Sequence, residues 1–87
     1  MIRLLICDDH AVVRAGLAQM LDCADHLSVC AQAADGFEAL RVLRAQAVDV
    51  LLLDIALPGR DGLDVLKQVR REWPRLPVLI LSTYPES

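Results

Sequence analysis

The chain has 87 residues, of which 55% are hydrophobic and 24% are charged, and its formal net charge is −3. These values predict a single small folded domain and exclude a disordered chain. The mild acidity argues against nucleic-acid binding by this segment, because phosphate backbones attract clustered Lys and Arg. No apolar run approaches the roughly 20 residues needed to span a bilayer.

Three cysteines are present, an odd number without the spacing of metal ligands. Reduced and mostly buried thiols are therefore expected, as in cytosolic proteins. The opening residues enter a strand pattern directly, which argues against a signal peptide. The sequence thus predicts a cytoplasmic location.

The first part of the chain alternates strand and helix patterns. Ile2 to Cys7 is an apolar strand. Ala11 to about Leu21 has helical spacing, with Arg14 facing away from an apolar side formed by Val13, Leu17, Met20 and Leu21. Leu27 to Ala33 predicts a weak strand, and its small residues suggest an edge position.

The second part repeats the alternation. Asp35 is a candidate N-cap for a helix that runs to about Ala45, with an apolar stripe of Phe37, Leu40, Leu43 and Ala47. Asp49 to Asp54 predicts a strand, and its continuous apolar run from Val50 ends in the Asp54 carboxylate, which indicates burial on both faces. Gly62 to Glu72 predicts a third helix, with a stripe of Leu63, Leu66, Val69 and Trp73. Pro77 to Ser82 is a fourth apolar strand.

Strands that alternate with helices at short intervals are typical of an α/β fold. The βαβαβαβ order predicts a doubly wound parallel sheet with helices on both faces and right-handed crossovers. No internal repeat, linker or low-complexity segment interrupts residues 1–87, which we expect to form one domain.

Polar side chains follow three of the predicted strands. Asp8 and Asp9 come after the first strand, Asp54 ends the third, and Ser82 and Thr83 follow the fourth. Parallel strands share one carboxyl edge, where open α/β sheets place their ligand sites. Two like charges about 4 Å apart repel by roughly 4 kcal/mol at an effective dielectric near 20. Since a domain is stable by only about 5–15 kcal/mol, three converging carboxylates predict a bound divalent cation, and Mg²⁺ is favoured.

Two roles are open to Asp54 beside such an ion. It could ligate the metal, or it could accept a phosphoryl group and form an acyl phosphate. The Ser82 or Thr83 hydroxyl could then hydrogen-bond a phosphate oxygen.

Each acid also has a simpler interpretation. Asp54 alone could form a turn, Asp9 could be the N-cap of the first helix, and Asp8 could be solvated. His10 could indicate a transition-metal site, but one histidine without a spaced partner is better interpreted as facing solvent. The combination of these residues, rather than any one of them, indicates function.

Three blocks of the sequence resemble the receiver domain of two-component response regulators. They are Leu5-Ile6-Cys7-Asp8-Asp9-His10, Asp54-Ile55-Ala56-Leu57-Pro58-Gly59-Arg60-Asp61-Gly62 and Leu76-Pro77-Val78-Leu79-Ile80-Leu81-Ser82. The acidic pair with its histidine, followed by Val13-Arg14-Ala15-Gly16-Leu17, looks most like the NarL/LuxR-type subfamily. The resemblance covers essentially the whole chain.

The resemblance implies a flavodoxin-like fold and specific roles for the site residues. Asp54 would be the phosphoacceptor, and Mg²⁺ would be held by Asp8, Asp9, Asp54 and the backbone carbonyl of Ala56. Ser82 falls at the family's hydroxyl position, and Thr83 is the next residue. A histidine kinase would be the phosphodonor, and the whole protein would be a transcriptional regulator that is not itself an enzyme.

The chain departs from the family pattern after the fourth strand. A complete receiver continues through a fourth helix, a fifth strand and a fifth helix, so we expect a domain of strand order 2-1-3-4 that is truncated at its C-terminus. The family's lysine at the end of the fifth strand would then be absent, and DNA would be bound only by a separate C-terminal domain. The apolar fourth strand would be an exposed edge, which predicts self-association into a homo-oligomer.

Two other functions compete with a phosphoacceptor switch. One is a receiver fragment that cannot signal and acts only in self-association. The other is a Mg²⁺-dependent phosphohydrolase of the haloacid dehalogenase type, which also uses an aspartate at a strand end. That family wants a second acid two residues later, where this chain has Ala56.

Overall fold

The computed structural model describes residues 1–55 and 62–81. In chain order its elements are β1 (Ile2–Cys7), α1 (Ala11–Asp22), β2 (Leu27–Ala33), α2 (Gly36–Ala45), β3 (Val50–Asp54), α3 (Gly62–Glu72) and β4 (Val78–Leu81). All strand pairs are parallel, and the strand order is β2-β1-β3-β4. The predicted fold class, strand order and edge position of β2 are confirmed.

The two inner strands are buried because their sequences are almost entirely apolar, and Asp54 is the charged exception among the buried positions. Leu4 to Cys7 of β1 and Leu51 to Asp54 of β3 are all buried. Alternate residues of a strand point to opposite faces of the sheet. Leu5, Cys7 and Leu53 accordingly join the main core, whereas the buried Ile6 lies outside that cluster.

The main core lies where α2 and α3 pack on the sheet. These helices contribute the buried side chains of Ala39, Leu40, Leu43, Val65 and Val69. The N-cap prediction for α2 is confirmed, since the Asp35 carboxylate accepts a hydrogen bond of 2.9 Å from the Glu38 amide. By contrast, α1 has no fully buried residue.

Five positions of the predicted helical stripes are wrong, because the side chains there are exposed: Val13, Met20, Phe37, Ala47 and Leu63. Phe37 is 64% exposed in the first turn of α2, Leu63 is exposed in the first turn of α3, and Met20 is exposed near the end of α1. Phe37 and Leu63 are the second residues of their helices, and Ala47 lies beyond the end of α2. The stripe of α3 instead includes Val65, which is fully buried.

No helix in the described ranges combines the length and the apolar content that crossing a bilayer requires.

The close approach of α2 to α3 predicts different responses at two helical glycines. A Cβ on Gly36 would overlap the Val65 side chain, whereas a Cβ on Gly16 of α1 would meet no atom within 4 Å. Gly36→Ala should therefore lower the free energy of unfolding by about 1–3 kcal/mol through overpacking. Gly16→Ala should raise it by up to about 1 kcal/mol, because alanine favours helix. Urea denaturation of both variants measures the difference, and equal effects at the two sites would contradict it.

Candidate metal centre

The sheet register brings the ends of β1 and β3 side by side. Cys7 of β1 pairs with Leu53 of β3, so Asp8 and Asp54 are the next residues on two adjacent parallel strands. Both aspartates are fully buried. The register thus places two carboxyl groups beneath the surface at the same edge of the sheet.

The turn after β1 is held by the Asp8 backbone and side chain. The Asp8 amide donates to the Ala33 carbonyl at 3.0 Å, which continues the pairing with β2. Asp8 Oδ1 accepts a hydrogen bond of 2.8 Å from the His10 amide. The N-cap of α1 is His10, whose side chain makes no cap hydrogen bond. The simpler interpretation of Asp9 as the N-cap is therefore wrong.

Four side chains converge where β1 and β3 end. One ligand atom from each of Asp8, Asp9, His10 and Asp54 lies within 4.8 Å of the others. At that separation two carboxylates repel by about 3.5 kcal/mol for an effective dielectric near 20. The predicted convergence of the three acids is present, while their roles as ligands and phosphoacceptor stay predictions.

The donor atoms of this cluster fit a cation. Within the described residues, Asp8 Oδ2 is a buried oxygen that accepts no hydrogen bond, whereas Asp9 Oδ1 has an ion-pair contact with His10 Nδ1 at 3.1 Å. A buried carboxylate oxygen without a partner is costly, because it loses water and gains nothing in exchange. Carboxylate oxygens are the ligands that Mg²⁺ prefers. The residues present therefore suit a hard divalent ion.

Arg14 is a contributor to the site that the sequence pattern missed. Its guanidinium donates to the Asp8 carbonyl at 2.7 Å and to Gln32 Oε1 at 3.2 Å. Arg14 thus ties the first turn of α1 to the end of β1 and to β2, although helical spacing predicted that it faces away. Its position one turn after His10 is a signal that could have indicated this contact.

His10 is the second missed contributor. Its side chain is 59% exposed, yet Nδ1 lies 3.1 Å from both Asp8 Oδ1 and Asp9 Oδ1. The solvent-facing interpretation of His10 describes its exposure but not its contacts. Its direct adjacency to two acids in the sequence is the available signal.

The buried acids also influence the thiol below them. Burial raises the pKa of Cys7 to about 12, and the negative charges of Asp35, Asp8 and Asp54 act in the same direction. The Cys7 thiol donates to the Asp35 carbonyl at 3.4 Å. Cys7 is therefore a neutral core residue beneath the cluster. All three cysteines are free, as expected, but the prediction that they are mostly buried is wrong, because Cys23 is exposed and Cys30 is only partly buried.

Other predicted site residues lie outside the described residues: Ala56, Ser82 and Thr83. Of their surroundings, the structure shows that Leu81, which precedes Ser82 in the sequence, pairs with Asp54.

A cavity of about 480 Å³ lies at the other edge of the sheet, away from the acidic cluster. It is lined by the residues before β3 and by the connection from α3 to β4. Its two acids are already paired, Asp49 with Arg3 at 3.1 Å and Glu72 with Arg44 at 3.0 Å. The charges of both acids in the cavity are therefore already offset by arginines.

Several proteins are similar to this chain over nearly its whole length. The transcriptional regulatory protein LiaR of Bacillus subtilis is 37% identical over 84 residues, which is 97% of this chain and 40% of LiaR. A protein-glutamate methylesterase/protein-glutamine glutaminase of Geobacter metallireducens is 43% identical over 86 residues, or 99% of this chain and 24% of that protein. The chain therefore spans less than half the length of these relatives.

A solved structure agrees with the fold. The response regulator protein TrrA of Thermotoga maritima, crystallised in complex with Mg²⁺-BeF, superposes with a TM-score of 0.88 at 30% identity. The alignment covers 97% of this chain and 71% of the TrrA chain. Residues 4–87 match the family model described as the response regulator receiver domain. The chain belongs to the receiver domain family of two-component response regulators.

Proposed function

We propose that this receiver is a phosphoacceptor switch in which Asp54 takes a phosphoryl group from a histidine kinase with the help of Mg²⁺. The observation that carries the proposal is the buried Asp54 carboxyl group, clustered with Asp8 and Asp9 within 4.8 Å at the end of β3. A carboxylate held beside two other acids suits a metal-assisted phosphoryl transfer.

The chemistry divides among the residues of the cluster. An Asp54 oxygen attacks the phosphorus of the kinase phosphohistidine, the P–N bond breaks and an acyl phosphate forms. Asp8, Asp9, Asp54 and the Ala56 carbonyl would hold Mg²⁺, which supplies neutralisation of charge on the transferred phosphoryl oxygens. Ser82 would donate a hydrogen bond to one of those oxygens, with Thr83 next to it.

The proposed assignment to a larger protein follows the relatives. Residues 1–87 form one receiver unit in the cytoplasm, and it acts as a switch rather than as an enzyme. LiaR is a transcriptional regulatory protein of which this chain matches 40%. We place DNA binding in a different part of the whole protein, because the segment has a net charge of −3 and no basic cluster.

The phosphoacceptor role is tested with acetyl phosphate and Mg²⁺. Intact-protein mass spectrometry should show the gain of one phosphoryl group, and Asp54→Asn should abolish it because an amide is not a nucleophile for this transfer. Asp64→Asn is the matched control, since Asp64 lies exposed on α3 outside the cluster. Phosphorylation that persists in Asp54→Asn would place the acceptor elsewhere.

The charge crowding predicts how stability depends on the metal. In metal-free buffer Asp9→Asn should raise the free energy of unfolding by on the order of 1 kcal/mol, because it removes one repelling charge from the cluster. Millimolar Mg²⁺ should then stabilise the native chain more than the variant, since binding to the folded state adds to stability. Thermal denaturation with and without Mg²⁺ measures both effects. A destabilised variant without metal would show that Asp9 is not under repulsion.

We also propose that the chain self-associates through β4. Leu79 and Ile80 are 57% and 42% exposed although they point to opposite faces, so neither face of β4 is fully covered by the described residues. An apolar strand at the end of the β2-β1-β3-β4 order can pair with a second copy.

Size-exclusion chromatography with light scattering tests this association. The native chain should form dimers or larger species at micromolar concentration, and Leu79→Lys should shift them toward monomer because a buried lysine opposes the contact. Val12→Lys serves as the control, since Val12 is exposed on α1. A native chain that elutes as a folded monomer would refute the proposal.

A further inference from the structure

His10 lies beside the acidic cluster, and both its backbone and its ring contact the acids. The imidazole Nδ1 is 3.1 Å from Asp8 Oδ1 and 3.1 Å from Asp9 Oδ1. The His10 amide is itself bonded to Asp8 Oδ1 at 2.8 Å, so the backbone holds the ring beside both carboxylates. A nitrogen donor is thereby added to a group of oxygen donors.

A second observation is that one carboxylate oxygen of Asp8 lacks a hydrogen-bond partner. Asp8 is fully buried, and its Oδ2 accepts no hydrogen bond from the described residues. One Asp8 ligand atom also belongs to the cluster with His10 and Asp54. Contact with His10 through Oδ1 therefore leaves the carboxylate with an unused buried oxygen, which a cation would satisfy.

The distances match the edges of a coordination shell. With metal–ligand bonds of about 2.1 Å, neighbouring ligand atoms lie about 3.0 Å apart in octahedral and about 3.4 Å apart in tetrahedral geometry. The two nitrogen–oxygen distances of 3.1 Å fall between these values. One ligand atom from each of Asp8, Asp9 and His10 lies within 4.8 Å of the others, so the three side chains can contact one ion.

The types of donor atom decide which metal ion would bind more tightly when His10 is a ligand. Imidazole suits Ni²⁺, Zn²⁺ and Cu²⁺, whereas Mg²⁺ takes oxygen ligands and retains water. We propose that His10, Asp8 and Asp9 form a mixed nitrogen–oxygen site for a first-row transition-metal ion, which overlaps the Mg²⁺ position and competes with Mg²⁺. The inference rests on the proposed function only in sharing Asp8 and Asp9 as metal ligands.

The test compares Ni²⁺ alone with Mg²⁺ alone as probes of the 87-residue chain by isothermal titration calorimetry. His10→Ala and His10→Asn should weaken Ni²⁺ binding by at least about tenfold, as expected for the loss of a group that supports a metal. Mg²⁺ affinity should change by less than about twofold, because Mg²⁺ does not use the nitrogen. Both variants keep the backbone bond to Asp8 and lose no side-chain cap, so they should fold, which circular dichroism verifies.

Two control variants address other soft donors. His26 is the second of two histidines, and its carbonyl accepts from the Ile2 amide at the start of β1, at the edge of the sheet opposite the cluster. Cys23 is an exposed free thiol. His26→Ala and Cys23→Ser should leave the high-affinity Ni²⁺ site intact. As a second measurement, proton NMR with Co²⁺ should show strongly shifted imidazole signals that His10→Ala removes.

Three outcomes would overturn the inference. Unchanged Ni²⁺ affinity in His10→Ala would mean that His10 is not a ligand, and equal loss of Ni²⁺ and Mg²⁺ would mean that it only positions the turn. Tighter binding of both ions would mean that His10 merely neutralises the acids as an ion pair. A native chain that binds Ni²⁺ but not Mg²⁺ would count against the proposed function instead, so the two failures are distinguishable.

Discussion

Repulsion between buried carboxyl groups is the constraint around which this receiver is built. Asp8 and Asp54 are fully buried on neighbouring strands, and Asp9 lies beside them. A small domain tolerates such crowding only where another group offsets it, because its net stability is of the same order as a few such repulsions. The His10 amide and the nearby Nδ1 group offset part of the charge of Asp8, and a divalent cation would offset more of the cluster's charge.

The chain order explains how distant residues come to share this cluster. The crossover through α2 carries the chain from β2 across β1 to β3, so Asp54 arrives next to Asp8. Beyond β3, the Gly62 amide donates to the Ile55 carbonyl at 3.1 Å. A Cβ on Gly62 would overlap the Ile55 backbone, so glycine is required for this close approach. Gly62, the first residue of α3, therefore lies next to the end of β3 that carries Asp54.

Most of the fold could be predicted from the sequence because its signals are local. The uninterrupted apolar runs of β1 and β3, the Asp35 cap and the alternation of elements each indicate one structure, and they agree with one another. The convergence of the acids also followed, since parallel strands share a carboxyl edge. The strand order itself came from the family resemblance and not from periodicity.

What the sequence could not give depends on tertiary contacts. Helical spacing placed Met20 and Phe37 in the core, but it does not say how far a helix sits from the sheet or where it begins to contact it. The same spacing predicted that Arg14 faces solvent, whereas its long side chain donates a hydrogen bond to the Asp8 carbonyl. His10 combines an exposed ring with contacts to buried acids, and a one-dimensional pattern cannot express both.

The unequal covering of the two sheet faces has a consequence for local unfolding. Since α2 and α3 supply the buried side chains and α1 supplies none that is fully buried, α1 should open at a lower free energy than the core, and its amides should exchange with deuterium first. The turn that carries Asp8 and Asp9 lies between the sheet and this weakly packed helix. A hydrogen bond from Arg14 to the Asp8 carbonyl joins the two. An ion bound in that turn would therefore slow amide exchange along α1 while it leaves α2 and α3 nearly unaffected.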